Sequence, residues 1–173
     1  SGALITSLMA TYGAAAVAGF GLASRIESFA LIAPLSVSAS LAPFVGQNWG
    51  AQQHSRIRRS LYLSIWFALG WGALVTVLLG TSATGIATWF DNDPAVVKNT
   101  VTYLTIVPIS YGALGIVYMF NSTFNAIGKP LNGAVLSISR LLVLYLPLSY
   151  VGSQLFGMLG IFGAACLSNL IVG

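Results

Sequence analysis

The chain has 173 residues, of which 57% are hydrophobic and only 6% are charged. Soluble domains carry about 25% charged residues, so this chain has too few charges to cover a surface that faces water. A mean hydropathy of +0.88 points the same way, to a membrane protein. The net charge is +4, but the basic residues are too few and too local to form a stripe that binds nucleic acid, and no such partner is expected.

Apolar runs in chain order define the membrane-crossing segments. A helix needs roughly 20 apolar residues to cross a hydrocarbon core about 30 Å thick. The runs predict a partial span, four complete spans and a second partial span, at 1–11, 14–46, 60–90, 100–127, 131–151 and 159–173. They lack the alternation over ~10 residues that is typical of membrane β-barrels. The predicted fold class is therefore an all-α, polytopic transmembrane helix bundle.

The two ends of the chain and its prolines refine this prediction. The sequence starts and stops within apolar segments, so we interpret residues 1–173 as a single lobe of a longer protein, truncated at both ends. Several runs exceed 25 residues and must tilt, kink or extend past the bilayer. Kinks are expected at Pro34 and Pro43 in the second span, at Pro108 in the fourth and at Pro147 in the fifth.

The loops predict the orientation. One side of the membrane would hold four basic residues, Arg56, Arg58, Arg59 and Lys129, whereas the other would hold only Lys98, beside Asp91 and Asp93. Cytoplasmic loops carry the excess of Lys and Arg. Loops 46–59 and 128–130 are therefore expected to be cytoplasmic and loop 91–99 external, in a multi-pass protein of the cell (inner) membrane.

Three charged residues lie inside predicted spans: Arg25, Glu27 and Arg140. A charge at the bilayer centre costs about 2.5–3.5 kcal/mol, so these side chains should face protein or an aqueous cavity and are candidates for a substrate or ion pathway. Arg25 and Glu27, two residues apart on one helix, point to opposite sides. Glu27 and Arg140 lie about 18 and 14 Å into their spans from opposite ends, so their levels nearly coincide. A structural ion pair and a coupling group that lines a cavity both remain open interpretations, and Arg25 lies deep enough to compete for Glu27.

Uncharged polar and aromatic side chains extend the candidate pathway. Tyr111 belongs to a tyrosine stripe along the fourth span, at spacings of eight and seven residues from Tyr103 and Tyr118. Such a stripe usually packs between helices, but in a cavity it would offer faces to organic cations. Asn121 and Asn125 share a helix face, where hydrogen bonding between helices is the simpler interpretation and a place in the pathway the alternative.

Motifs for other chemistry are missing from this sequence. There is no phosphate-binding GxxxxGK[ST] loop, no HExxH and no paired Cys/His set, and the chain has only three acidic residues and one histidine. We therefore expect neither an enzyme nor a bound metal or other cofactor. A purely structural membrane subunit is the alternative from another class, although it would not need three buried charges.

The motifs together resemble a known family. "SRIESFALIAP", "PFVGQNWGAQQHSRIRRSL", "YLTIVPISYG", "FNAIGKP" and "SISRLLVLYLPLSYV" occur in the order and spacing found in the C-terminal half of multidrug and toxic compound extrusion (MATE) transporters. The resemblance covers nearly the whole chain. It implies a MATE-like C-terminal lobe, from the end of helix 7 through part of helix 12, and it includes Gln47, Asn48 and Gly50 in the cytoplasmic loop motif.

The resemblance implies a function as well as a fold. A MATE transporter has two six-helix lobes and exports cationic amphipathic compounds in exchange for Na⁺ or H⁺ by alternating access, so the expected partners are the bilayer, the N-terminal lobe and small organic cations. One branch couples transport through a helix-7 glutamate and a helix-10 aspartate, but the fourth span here contains no acid. That departure speaks against a C-lobe cation site of this kind and leaves the coupling ion unassigned to residues. The alternative is coupling through the N-terminal lobe, where another branch of the family has a proton-linked aspartate. A lipid-linked saccharide flippase of the same superfamily is the alternative. A basic cavity that contains Arg25 and Arg140 would favour it.

Overall fold

A computed structural model describes residues 2–173, and their side chains from Ile5 onward. All the regular elements in this part of the chain are helices, as the apolar runs predicted. The α-helices are α1 (Gly2–Ala10), α2 (Ala14–Ala30), α3 (Ile32–Gly50), α4 (His54–Phe90), α5 (Pro94–Ile106), α6 (Tyr111–Ala126), α7 (Pro130–Ile138), α8 (Leu146–Phe156) and α9 (Met158–Val172). A 3₁₀ turn, Val107–Ser110, joins α5 to α6, and a π-helical segment, Ser139–Tyr145, joins α7 to α8.

Three helices are long and apolar enough to cross a membrane: His54–Phe90, Pro94–Ala126 and Pro130–Phe156. The pair α2 and α3 adds a fourth span, bent by 45° between its two halves. The helices extend beyond the predicted apolar runs, so only short turns remain of the predicted loops 46–59 and 91–99. The charged residues near His54 lie at the polar end of α4, before its apolar stretch begins. A helix depends on its backbone hydrogen bonds, so it can continue beyond an apolar run into a polar segment. The first predicted span includes Ser1, which lies outside the described residues.

The bend between α2 and α3 has a local cause in Pro34. Proline lacks a backbone N–H, so the carbonyl four residues earlier, that of Ala30, loses its helical partner. The indole Nε1 of Trp71 on α4 donates a hydrogen bond of 2.8 Å to that carbonyl instead. The predicted kink at Pro34 therefore takes the form of a break at Leu31, where α2 ends, whereas Pro43 lies inside α3.

We expect Trp71→Phe to lower the free energy of unfolding by about 1–3 kcal/mol, because it leaves the Ala30 carbonyl without a donor. The cost should shrink in a Pro34→Ala background, where the new backbone N–H can bond Ala30. Reversible unfolding of the full-length protein in mixed micelles would measure both. Trp66→Phe on the exposed face of the same helix is the matched control. Equal costs of Trp71→Phe in the two backgrounds would contradict this explanation of the bend.

Helix α6 lies at the centre of the bundle and contacts α3, α4, α7 and α9. Glycines permit the closest approach. A Cβ atom on Gly72 of α4 would lie only 2.3 Å from the backbone nitrogen of Gly112 on α6. In lipid, such packing of small residues replaces much of the hydrophobic driving force that water supplies to soluble proteins. Helices α4 and α6 are therefore held against each other by direct backbone contact.

Candidate functional site

A cavity of about 180 Å³ lies within the bundle. It combines aromatic, aliphatic and polar side chains from seven elements. Its walls are formed by Ile5, Phe20, Glu27, Tyr103, Val107, Leu114, Tyr118, Arg140, Leu141, Tyr145, Ala165, Ser168 and Asn169. Glu27 and Arg140 are the charged residues among these, so the cavity brings together two of the residues that sequence patterns selected.

Glu27 reaches the cavity from α2. The hydroxyl of Tyr103 on α5 donates a hydrogen bond of 2.5 Å to Oε2 of the Glu27 carboxylate. Tyr103 is itself buried and fixed by two edge-to-face aromatic contacts, with Phe20 and with Phe162, at ring-centroid distances of 5.8 and 5.1 Å. The carboxylate is therefore held by a neutral donor on one oxygen.

Arg140 enters from the π-helical segment, on a different wall. Its Nη1 donates a hydrogen bond of 2.6 Å to Oδ1 of Asn169 on α9. The Nδ2 of Asn169 donates in turn to the hydroxyl of Ser110, at 2.9 Å, and that hydroxyl donates to the carbonyl of Val107, at 2.8 Å. This chain of hydrogen bonds ties the guanidinium to the 3₁₀ turn between α5 and α6.

The two charges do not form a direct ion pair in the described part of the chain, although they share one cavity. Each is instead oriented by a neutral partner, Tyr103 for Glu27 and Asn169 for Arg140. A structural ion pair was one of the two interpretations that the sequence left open. In the described residues both charged groups line one cavity without a direct pair, and the coupling role of either group stays a prediction.

Arg25 points away from this cavity. It is exposed on the outer face of α2 and lines a separate surface pocket with Phe90 and Asp91, at the far end of α4. Side chains on a helix lean toward its N-terminus, which carries the Arg25 guanidinium toward that end of the bundle. The opposite directions of Arg25 and Glu27 follow from their spacing of two residues on one helix.

The remaining candidates from the fourth span lie outside the cavity walls. Tyr111 is buried in the hydrophobic core, and its hydroxyl has no hydrogen-bond partner among the described residues. Asn121 donates from Nδ2 to the Ser137 hydroxyl at 2.8 Å, which links α6 to the end of α7, and Asn125 is exposed. Tyr103 and Tyr118 are the tyrosines of the predicted stripe that line the cavity.

The loop motif of Gln47, Asn48 and Gly50 forms the end of α3. Asn48 is buried and its Nδ2 donates to the Phe44 carbonyl at 2.8 Å, while its own carbonyl accepts from the Gln53 backbone N–H, also at 2.8 Å. Gln52 takes the left-handed conformation, φ 56°, that closes such a helix end. In the structure this motif is a helix C-terminus, with Gln47 and Gly50 exposed.

Sequence reasoning missed Asn169, Ser110 and Tyr145. Asn169 carried a usable signal, because it is a polar side chain next to Ser168 in the otherwise apolar last run. Ser110 and Tyr145 carried none, since a serine or a tyrosine in a span is common and only the fold shows which face it occupies. Asn169 holds Arg140 by a hydrogen bond and Ser110 holds Asn169 in turn, while Tyr145 lines the cavity beside Arg140.

Comparison with known proteins identifies the family. The MatE family model matches residues 1–151. A FAD transporter from Shewanella oneidensis is 37% identical over 171 residues, which cover 99% of this chain and 38% of the relative. The multidrug export protein MepA from Staphylococcus haemolyticus is 23% identical over 172 residues, 99% of this chain and 37% of the relative.

A solved structure agrees with this match. The crystal structure of the Vibrio cholerae MATE transporter VcmN in the bent form superimposes with a TM-score of 0.95 at 36% identity, over 99% of this chain and 39% of that one. The chain thus spans less than two thirds of the length of the relatives it matches. Because the family model covers most of its residues, the chain belongs to the MatE family of membrane transporters, as its motifs predicted.

Proposed function

We propose that this chain is the C-terminal lobe of a secondary active antiporter, which exports organic compounds across the cell (inner) membrane in exchange for Na⁺ or H⁺. The lobe would work with an N-terminal six-helix lobe by alternating access, since such transporters rock two repeats against each other around a shared site. Small organic cations are the proposed substrates. The name of a relative, the multidrug export protein MepA, supports the export of drug-like compounds.

The observation that carries the proposal is the setting of Glu27. Its carboxylate faces a cavity, is positioned by Tyr103 and has no direct ion pair with Arg140. A carboxylate in this setting can take up a proton or a cation while the cavity is open to one side of the membrane. It can release that ion when the cavity opens to the other side. Intramembrane acids are rare because they are costly, and they are retained where an ion pathway needs them. We propose that Glu27 holds the coupling ion in this lobe.

The proposed orientation rests on the charge of the connecting turns. The turn after α3 and the one before α7 lie at the end of the bundle that carries Arg56, Arg58, Arg59 and Lys129. By the distribution of Lys and Arg we propose that this end is cytoplasmic and that the turn at residues 91–93 is external.

A full-length transporter carrying Glu27→Gln tests the role of the carboxylate. The amide keeps the size and accepts the Tyr103 hydrogen bond but cannot release a proton. We expect efflux of a fluorescent organic cation from cells to fall about tenfold or more, the scale of a coupling free energy between two sites. Glu27→Asp should retain part of the activity, and Asp91→Asn at the outer rim is the matched control. Unchanged efflux by Glu27→Gln, at equal protein in the membrane, would refute the role.

A second candidate is the transport of flavin nucleotides. The relative named a FAD transporter matches nearly the whole chain at 37% identity. The cavity contains an arginine that carries a fixed positive charge, which suits an anionic substrate better than a cationic one. Efflux of FAD from cells that express the full-length protein, measured against an organic cation in the same cells, distinguishes the two substrate classes.

A further inference from the structure

Arg140 has more hydrogen-bonding capacity than the protein uses. A guanidinium presents five N–H donors in a rigid plane. Nη1 bonds Asn169, whereas Nε is buried and has no hydrogen-bond partner among the described residues. An arginine stays charged at any physiological pH, and a buried charge without a counterion is costly. The structure therefore contains a positioned cation with unused donors, in a cavity that it shares with Glu27 but without a direct ion pair in the described part of the chain.

The surroundings of Arg140 identify what kind of counterion fits. Asn169 holds one edge of the guanidinium and leaves the remaining donors of a planar fork, which is the geometry that matches carboxylate and phosphate oxygens. The hydroxyl of Ser168 lies on the same wall, donates to the Ala165 carbonyl and keeps its lone pairs. It is uncharged, so it adds no second positive group to the subsite. The positive charge of the subsite comes from Arg140 alone among the residues that line the cavity.

Aromatic side chains form the rest of the cavity wall. Phe20, Tyr103, Tyr118 and Tyr145 all line the space. Aromatic groups offer faces and edges on which a planar ligand ring packs, in offset or edge-to-face geometry. An anionic subsite beside four aromatic side chains is suited to a ligand that joins a planar ring to a phosphate or a carboxylate.

From this juxtaposition we infer that Arg140, positioned by Asn169, binds the phosphate or carboxylate of an aromatic organic anion. This inference rests on the second candidate function, transport of an anionic substrate, because it assumes that the cavity is part of the substrate pathway. The space of about 180 Å³ is smaller than the roughly 300–1,000 Å³ of a site for a whole drug-sized ligand. The subsite accordingly takes the charged group of the ligand, and the rest extends toward the second lobe.

Two flavins that differ by one phosphate test the subsite. Riboflavin and flavin mononucleotide (FMN) share the ring and the ribityl chain, so the ratio of their dissociation constants isolates the anionic group. We expect the purified full-length transporter to bind FMN about tenfold more tightly than riboflavin, since the phosphate adds charge-assisted hydrogen bonds to the guanidinium. Arg140→Gln should bring the ratio close to one, and Arg140→Lys should keep part of it. Arg25→Gln, outside the cavity, should leave it unchanged.

Glu27 provides a further readout of opposite sign. It is the negative residue among those lining the cavity, so Glu27→Gln should tighten the binding of FMN more than that of riboflavin and raise the ratio of their affinities. A structural role of Arg140 would not produce this pattern. If Arg140→Gln fails to fold, the affinity ratio of FMN to riboflavin in the wild-type protein and in Glu27→Gln still tests the inference. Equal affinity of the wild-type protein for FMN and riboflavin, or no binding of FMN, would overturn the inference.

The inference and the proposed function fail in different experiments. Efflux of an organic cation that depends on Glu27, together with equal binding of the two flavins, would remove the anionic subsite and keep the antiporter. A phosphate-dependent binding ratio that disappears in Arg140→Gln, in a protein whose efflux ignores Glu27, would keep the subsite and remove the coupling role of Glu27.

Discussion

Replacing Gly72 with alanine is expected to prevent α4 and α6 from packing. The added Cβ would lie 2.3 Å from the Gly112 nitrogen and 2.6 Å from the Gly112 Cα. Both atoms belong to the backbone of a central helix, so neither can move aside as a flexible side chain would. We expect a loss of about 3 kcal/mol, at the upper end of the range for overpacked cores.

Gly70→Ala is the matched control for this prediction. Gly70 lies two residues earlier on the same helix, and a Cβ there would meet nothing within 4 Å. This change should be neutral or stabilising, by up to about 1 kcal/mol, because alanine favours the helix over glycine. The thermal unfolding midpoint of the full-length protein in detergent measures both variants. A Gly72→Ala protein as stable as the Gly70→Ala protein would contradict the close packing of α4 on α6.

Residues 1–173 expressed alone are expected to transport nothing. The cavity of about 180 Å³ is formed by residues of this lobe, and alternating access requires a second repeat that rocks against the first. Accumulation of a fluorescent organic cation should therefore match that of cells with an empty vector, whereas cells with the full-length transporter should extrude the dye.

The membrane insertion of the fragment has to be verified independently. A fluorescent protein fused to its C-terminus reports the amount of inserted fragment, so that absence of transport is not confused with absence of protein. Extrusion of the dye by the fragment, abolished by Glu27→Gln in the fragment, would show that one lobe suffices and would contradict the requirement for two.

Much of the fold could be predicted from the sequence because membrane spans depend on the length of apolar runs. The run 14–46 predicted one span, and prolines predicted a kink in it. The break at Leu31 itself could not be located, because the apolar sequence continues through it and the compensating donor, Trp71, lies on another helix. The start of α4 at His54 was missed since polarity marks the edge of the apolar region rather than the end of a helix.

The candidate site was only partly predictable for a similar reason. The cost of charge in lipid selected Glu27, Arg25 and Arg140 without any knowledge of packing. Which of them share a cavity depends on helix rotation, which places Glu27 inside and Arg25 outside. The partners that hold the charges, Tyr103 and Asn169, lie 76 and 29 residues away along the chain, and no local pattern links them.

The coupling role of Glu27 is tested most directly by ion-driven flux in proteoliposomes. Full-length transporter is reconstituted with a fluorescent organic cation, and an H⁺ or Na⁺ gradient is imposed in separate experiments. We predict that one of the two gradients drives uptake by the wild-type protein, and that Glu27→Gln shows only slow uptake that is insensitive to either gradient. Uptake by Glu27→Gln that still follows the gradient at the wild-type rate would contradict the central claim that Glu27 holds the coupling ion.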